Sequence, residues 1–256
     1  MLRTDALWPD RGLRMIITER PGFGASTRQP GRRFADHADD LVAIIDGLGI
    51  DRVPVHASSG GAPYALALAC RHPDRVSALA IVVGAAPITG DEATGLIGLN
   101  AAGYRLARAG DREGMTRLLA PAREAWLRDP LAGFRAVMIS APETDKVIMD
   151  DPHWQTMFAR FAREAMRQGV EGWVDESMLI LLPWEDIDVS RVAASVTWWH
   201  GDSDHNVPLS AVRRLVDQLP NGRLIVWTDA GHLTQYVREA EILDELLARA
   251  GPTGSA

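Results

Sequence analysis

The sequence predicts an α/β fold: a doubly wound, mostly parallel sheet carrying a helical insertion. Three observations predict it. In the first third of the chain, short apolar runs that end in turn residues alternate with segments of 3-4 apolar spacing. Between about residues 88 and 187 helical periodicity takes over. The alternation then resumes to the C-terminus. The expected division is a core of residues 1–87 and 188–256, with residues 88–187 inserted. A length of 256 residues suits one such domain.

Residues 13–18 are apolar and run into the turn-rich Arg20-Pro21-Gly22-Phe23-Gly24, which reads as a strand. Residues 34–48 place Leu41, Ile44, Ile45 and Leu48 on one helical face, and Gly49 ends the helix. Strand 52–56, an Ala/Leu-rich helix over 60–71 stopping before Pro73, and strand 79–83 follow. Short links between such units imply parallel pairing. After the insertion come strand 196–200, a helix through Leu209, Val212, Leu215 and Leu219, strand 224–227 and a last helix over 233–248. Residues 251–256 read as a loose tail.

Composition excludes several classes. Apolar residues make up 46% of the chain and charged residues 24%, enough apolar surface to offset chain entropy. Cys70 is the single cysteine, so no intrachain disulfide framework exists. A net charge of −7 is no nucleic-acid footprint. No segment reads as an export signal or a membrane span. A soluble, cytoplasmic protein with a small-molecule substrate, no nucleic-acid or membrane partner and a possible homo-oligomeric state is expected.

The chemistry-bearing run is Val53 to Ala67, a strand entering a helix through the small residues Ala57-Ser58-Ser59-Gly60-Gly61. A nucleophile on such a turn sits in strained dihedrals and needs small residues two positions to either side. Ser59 has Ala57 and Gly61 there; Ser58 would have His56 and Gly60, and the imidazole would crowd the turn. Ser59 is therefore the candidate nucleophile, in the pattern A-x-S-x-G. A Ser/Gly-rich helix cap without chemistry is the bland alternative. Two further runs supply an acid and a base. Val196 to Pro208 is a strand ending in His200-Gly201-Asp202-Ser203-Asp204, and Leu224 to Leu233 is a strand followed by Gly231-His232. The order Ser, Asp, His then falls just past successive strand ends, which in a parallel sheet face one crevice. Asp204 is preferred over Asp202, because a residue beside Gly201 shapes the turn. His37, His56, His72, His153, His200 and His205 are read as satisfied core or surface residues.

Together these runs resemble the α/β-hydrolase superfamily. Arg20-Pro21-Gly22-Phe23-Gly24-Ala25-Ser26 is similar to its R-P-G-[YF]-G-x-S loop, and Ser59 to Ala67 to its S-G-G-x-P-Y-A-L-A elbow helix. His200 to Asp204 with Val207-Pro208, then Gly231-His232, are similar to its acid and base loops. The resemblance covers residues 13–87 and 188–249 and puts a helical cap at the insertion. It implies a Ser59–Asp204–His232 triad, an oxyanion donor at the Gly60 N–H, and no metal or organic cofactor. Ser58, Tyr64 and Phe23 are candidate substrate-binding residues. Glu171, Asp175 and Glu176 could hold a substrate amine, with a solvated acidic face as the plainer reading. The tryptophans of the insertion suggest a small, largely apolar substrate, unless they only pack the cap.

One departure stands out. The family strand that ends in His-Gly, and whose loop gives the second oxyanion donor, is missing; residues 1–12 resemble the helix that follows it. That strand lies between the R-P-G strand and the elbow strand. The expectation is that the true start lies upstream of Met1, or that the sheet closes over the gap. The implied activity is acyl transfer from an ester, thioester or amide to water, weakened by the missing loop. A degenerate hydrolase serving as a binding module, and cofactor-free haloperoxidase or C–C hydrolase chemistry on the same triad, remain as alternatives.

Overall fold

The computed structural model describes residues 9–96, 98–137 and 141–251. Residues 1–8, most of the segment compared with the family's first helix, and the tail residues 252–256 lie outside them. The described residues fall in two compact units, one within Met1–Gly31 and Ile97–Leu181, the other within Arg32–Leu96 and Leu182–Ala256. The sequence division placed residues 1–87 in the core; the contacts group the described residues 9–31 with the helical insertion.

The second unit is built on a four-stranded parallel sheet in the order β1-β2-β3-β4: Val53–Ser58, Val76–Val82, Ser195–Gly201 and Gly222–Trp227. The central strands β2 and β3 are buried almost throughout, as parallel strands covered on both faces must be. β1 and β4 are half-exposed edges. One face carries Ala78, Ala80, Val82, Trp199 and Trp227 against Ile242 and Leu246 of the last helix (Glu239–Ala250). Two helices of the N-terminal half belong to this unit. In α1 (Phe34–Gly47), Asp36 accepts the Arg33 N–H at 2.8 Å and so closes the first turn. The helix ends where expected, with Gly49 at φ +69. Helix α2 (Ala62–Arg71) is buried from Ala62 to Cys70, which its Ala/Leu composition permits.

The first unit carries helices α3 (Gly98–Arg108), α4 (Arg112–Arg128), α5 (Pro130–Val137), α6 (Glu143–Asp150), α7 (Pro152–Ala165) and α8 (Glu171–Ile180). Its aromatic residues stack on one another. Trp126 lies 5.3 Å from Trp173 and 5.9 Å from Phe134, and Phe134 stacks on Phe158 at 4.5 Å. Loop residues 19–28 are fastened to α8. Arg28 Nε and Nη2 donate to Asp175 at 2.6 and 3.1 Å, and Arg112 reaches the same carboxylate. Arg20 pairs with Glu176 at 3.1 Å. Gln168 donates to the carbonyls of Gly24 and Ser26. Gly22 and Gly172 touch backbone to backbone: a Cβ on Gly172 would sit 2.3 Å from the Gly22 oxygen. These bonds explain why the first residues group with the helices.

Residues 13–18 form no strand, against expectation. Apolar alternation makes a segment extended, but a strand also needs a ladder partner. Among the described residues β2 is the single strand neighbour of β1, so the sheet does not close over the gap by pairing β1 with residues 13–18. No helix of the described residues is long and apolar enough to cross a membrane.

Candidate functional site

The elbow is strained at one residue. Ser58 is extended (φ −119, ψ 140), Ser59 has φ +49, and a 3-10 turn, Ser59–Gly61, leads into α2. A left-handed conformation costs a non-glycine residue of order 1–3 kcal/mol, so the surroundings must hold it. The Ala85 N–H donates to the Ser59 carbonyl at 2.9 Å and fixes the turn. The two small flanking residues meet across it: a Cβ on Gly61 would lie 3.6 Å from that of Ala57. Gly60 sits in the first turn, where backbone N–H groups have no acceptor within the helix and can face an anion.

The acid and base loops are zipped together beyond β3 and β4. Asp202 N donates to Trp227 O and Ser203 N to Ala230 O, both at 3.0 Å. Gly201 is required by this approach, since a Cβ there would fall 2.1 Å from the Ala230 oxygen. The zipper aims two side chains at the elbow. His232 Nδ1 lies 2.7 Å from Asp204 Oδ2, and His232 Nε2 lies 3.0 Å from Ser59 Oγ. A carboxylate can only accept, so Nδ1 carries the proton and Nε2 is left to accept from the serine hydroxyl. The Asp204 side chain has no exposed surface. Its second oxygen accepts the Asn206 and Val207 N–H groups at 2.8 and 3.1 Å. Burial pushes its pKa up, but the facing His232, His200 and the Val207 N–H outweigh burial and hold it below the usual range. Asp202 is exposed and serves its turn, accepting from Ser203 Oγ.

The three triad candidates are therefore brought together, and the other candidates are placed differently. Ser58 Oγ donates to Gln235 Oε1 at 2.5 Å. Tyr64 is core: its ring meets Phe34 and His37 edge-on, each at 5.0 Å, and its hydroxyl accepts from Arg32. Phe23 belongs to the first unit, under the Arg20 guanidinium at 5.3 Å. Glu171, Asp175 and Glu176 form neither an amine-binding trio nor a solvated face. Asp175 and Glu176 are buried, and all three pair with Arg28, Arg112 or Arg20. The residue types were legible in the sequence; the pairing across 147 positions was not.

Two neighbours of the triad candidates matter: His200, read from the sequence as a satisfied core or surface residue, and Gln235, which that reading missed. His200 is fully buried, its Nε2–H donating to Val207 O at 3.0 Å, and that nitrogen is 3.6 Å from Asp204 Oδ2. Its pKa is lowered by burial, against the opposing pull of Asp204. Gln235, also buried, donates to the His232 carbonyl at 3.2 Å. Its only sequence signal is a place one turn after the base. No group of three or more metal-ligating side chains occurs among the described residues.

Known proteins resemble the chain over most of its length. A family model of the alpha/beta hydrolase fold matches residues 5–239. The 2-hydroxymuconate semialdehyde hydrolase of Pseudomonas putida is 29% identical over 243 residues, 93% of this chain and 78% of that protein. The 2-hydroxy-6-oxononadienedioate/2-hydroxy-6-oxononatrienedioate hydrolase of Paraburkholderia phymatum is 26% identical over 242 residues, 92% of this chain and 75% of that protein. Among solved structures, a hydrolase from Pseudomonas aeruginosa matches with a TM-score of 0.68 at 19% identity, covering 97% of this chain and 84% of that one.

Proposed function

The chain belongs to the α/β-hydrolase family and is an enzyme, and from that premise we propose that it is a serine hydrolase working through an acyl-enzyme on a small, largely apolar ester, thioester or amide. The observation that carries this reading is the hydrogen-bonded line Asp204–His232–Ser59. Ser59 Oγ attacks the substrate carbonyl while its proton passes to His232 Nε2. Asp204 holds the ring in the Nδ1–H form and stabilises the imidazolium. The imidazolium then protonates the leaving group. Water, activated by the same nitrogen, attacks the acyl-Ser59 ester and frees the acid. The Gly60 N–H faces the developing oxyanion, and loss of one such donor costs roughly 10²- to 10³-fold.

A fluorophosphonate probe tests this reading. Covalent labelling of Ser59, together with release of p-nitrophenol from a short p-nitrophenyl ester, is expected. An unlabelled, folded chain would leave only a binding module.

The names of the two relatives favour a second substrate class for the same triad. 2-Hydroxymuconate semialdehyde holds no ester or amide, so its hydrolysis breaks a carbon–carbon bond: water adds to the carbonyl carbon, the bond from that carbon to the carbon chain breaks, and the chain carbon takes up a proton. A hydroxy-oxo dienoic acid would be polarised at its carbonyl by Gly60 and protonated through His232. Loss of the dienol absorbance, with no turnover of p-nitrophenyl esters, would select this class over the first.

A further inference from the structure

The pair Ser58–Gln235 lies outside the triad yet touches both of its working ends. Ser58 immediately precedes the candidate nucleophile. Gln235 sits three residues past the candidate base, in the 3-10 turn His232–Val237. Gln235 is buried, 7% exposed. Its amide spans two partners: Oε1 accepts from Ser58 Oγ at 2.5 Å, and Nε2 donates to the His232 carbonyl at 3.2 Å. One amide orientation serves both. The His232 carbonyl can only accept, so Nε2 must face it, and that leaves Oε1 for the serine hydroxyl.

From this geometry we propose that Gln235 is a positioning residue: with Ser58 it straps the elbow to the base loop and sets the reach between His232 Nε2 and Ser59 Oγ. The inference rests on the serine-hydrolase reading. Its physical basis is the local backbone. His232 follows Asp229, a non-glycine residue at φ +51, and Ser59 stands at φ +49. Ser59 itself, and the turn three residues ahead of His232, thus stand on backbone outside the regular wells, which persists only where neighbouring bonds hold it. The Asp204 contact fixes the far nitrogen of the ring, while the strap fixes the main chain of His232 from the elbow side. A misplacement of about 1 Å at such a contact costs up to ~10²-fold. Ser58 is thereby a tie between loops; its hydroxyl hydrogen is committed to Gln235.

The experiment compares Gln235→Ala, Ser58→Ala, the double variant and Ser58→Thr with the unaltered chain. Three readouts are followed: ester turnover, the rate of fluorophosphonate labelling, and the low-field Nδ1–H proton resonance of His232. Each alanine variant is expected to lose about 5- to 10-fold in kcat and in labelling rate, the worth of one buried hydrogen bond, with KM close to that of the unaltered chain and Tm lower by a few degrees. The double variant should be no slower than Gln235→Ala, because one strap is broken once. Ser58→Thr keeps the hydroxyl on extended backbone and should restore most of the rate. In Gln235→Ala the His232 resonance should shift or broaden. Additive losses in the double variant, or an alanine variant with unchanged labelling and an unchanged resonance, would overturn the strap. If the unaltered chain neither labels nor turns over ester, the proposed function fails, and the resonance alone still decides whether Gln235 positions His232.

Discussion

Asp175 in the helical unit and Asp204 beside the sheet are both carboxylates with almost no exposed side-chain surface, 5% and 0%. Burial raises the pKa of each, and in each the partners win and leave it below the usual range. The partners differ in kind. Asp175 faces Arg28 and Arg112, cations that never give up their protons. Its charge is cancelled permanently, and the result is a fastening between residues 19–28 and α8. Asp204 faces two backbone N–H groups and His232, whose proton can move. In the proposed mechanism its charge is answered by an imidazolium that forms when Ser59 reacts. A buried carboxylate thus reads as a structural tie or as reaction machinery according to whether its counter-charge can titrate.

The largest expected effect tests the second half of that contrast. Ser59→Ala and His232→Ala should each abolish ester hydrolysis, on the order of 10⁵- to 10⁶-fold in kcat, since triad members act as a unit. Ser58→Ala should retain activity within about tenfold. Equal, near-complete loss in Ser58→Ala and Ser59→Ala, with both chains folded by circular dichroism, would remove Ser59 as the nucleophile.

Exchanging charge for amide in each carboxylate sharpens the comparison. Asp204→Asn should cost about 10⁴-fold in kcat by favouring the wrong tautomer of His232. Asp202→Asn should cost little, because its turn also rests on the Asp202 N–H to Trp227 carbonyl bond. Asp175→Asn should act on stability. Breaking a buried pair costs ~3 to 5 kcal/mol, reduced here to about 1–3 kcal/mol because both arginines keep a third or more of their surface in water. The measurements are urea midpoints and fluorophosphonate labelling rates on the same preparations. Should Asp175→Asn stop labelling in a folded chain, or Asp204→Asn leave the rate intact, the contrast between the two carboxylates is lost.

Acidity separates the two regions more gently. His200 is buried neutral, with a pKa lowered from 6.5. The unfolded chain therefore binds the extra proton first. The stability His200 contributes is complete above 6.5 and drains as pH falls from 6.5 toward its folded value. Asp175 and Asp204 lose their contributions only below 3.8, as pH falls through their lowered values. Urea midpoints should decline between pH 7 and 5, and His200→Asn should flatten part of that slope. An identical slope in the variant would mean that His200 binds its proton equally well in the folded and unfolded chain.

Much of this was legible in the sequence because the rules involved are local. The A-x-S-x-G turn selected Ser59 by the size of Ala57 and Gly61, and Ser59 carries the strained φ. Gly201 pointed away from Asp202 as the acid, and its lack of a Cβ is what lets the Ala230 carbonyl approach. Helix α1 stops at the glycine that marked its end. What stayed illegible needs a partner far along the chain. Residues 13–18 had a strand's pattern and no ladder to join. Glu171, Asp175 and Glu176 looked like an acidic face because Arg20, Arg28 and Arg112 lie far away in sequence. Gln235 carried no pattern at all.

The smallest effect concerns room at one glycine in each region. Gly61 has ordinary helical angles (φ −76, ψ −20), so alanine meets no backbone penalty there. A Cβ would contact Ala57 at 3.6 Å, an ordinary van der Waals distance. Alanine also loses less chain entropy on folding than glycine in a helical turn. Gly61→Ala should therefore leave stability unchanged or raise it by about 0.5 kcal/mol, with hydrolysis within a factor of a few. Gly172→Ala is its counterpart in the helical unit, where the Cβ would sit 2.3 Å from the Gly22 oxygen and the backbone has to move. There the loss should be about 1–3 kcal/mol, the cost of overpacking. The two variants make the same chemical change, so a urea melt on each compares the space directly. A destabilised Gly61→Ala would mean that the elbow is closed as tightly as the Gly22–Gly172 contact, and that Ala57 already fills the space a nucleophile turn can spare.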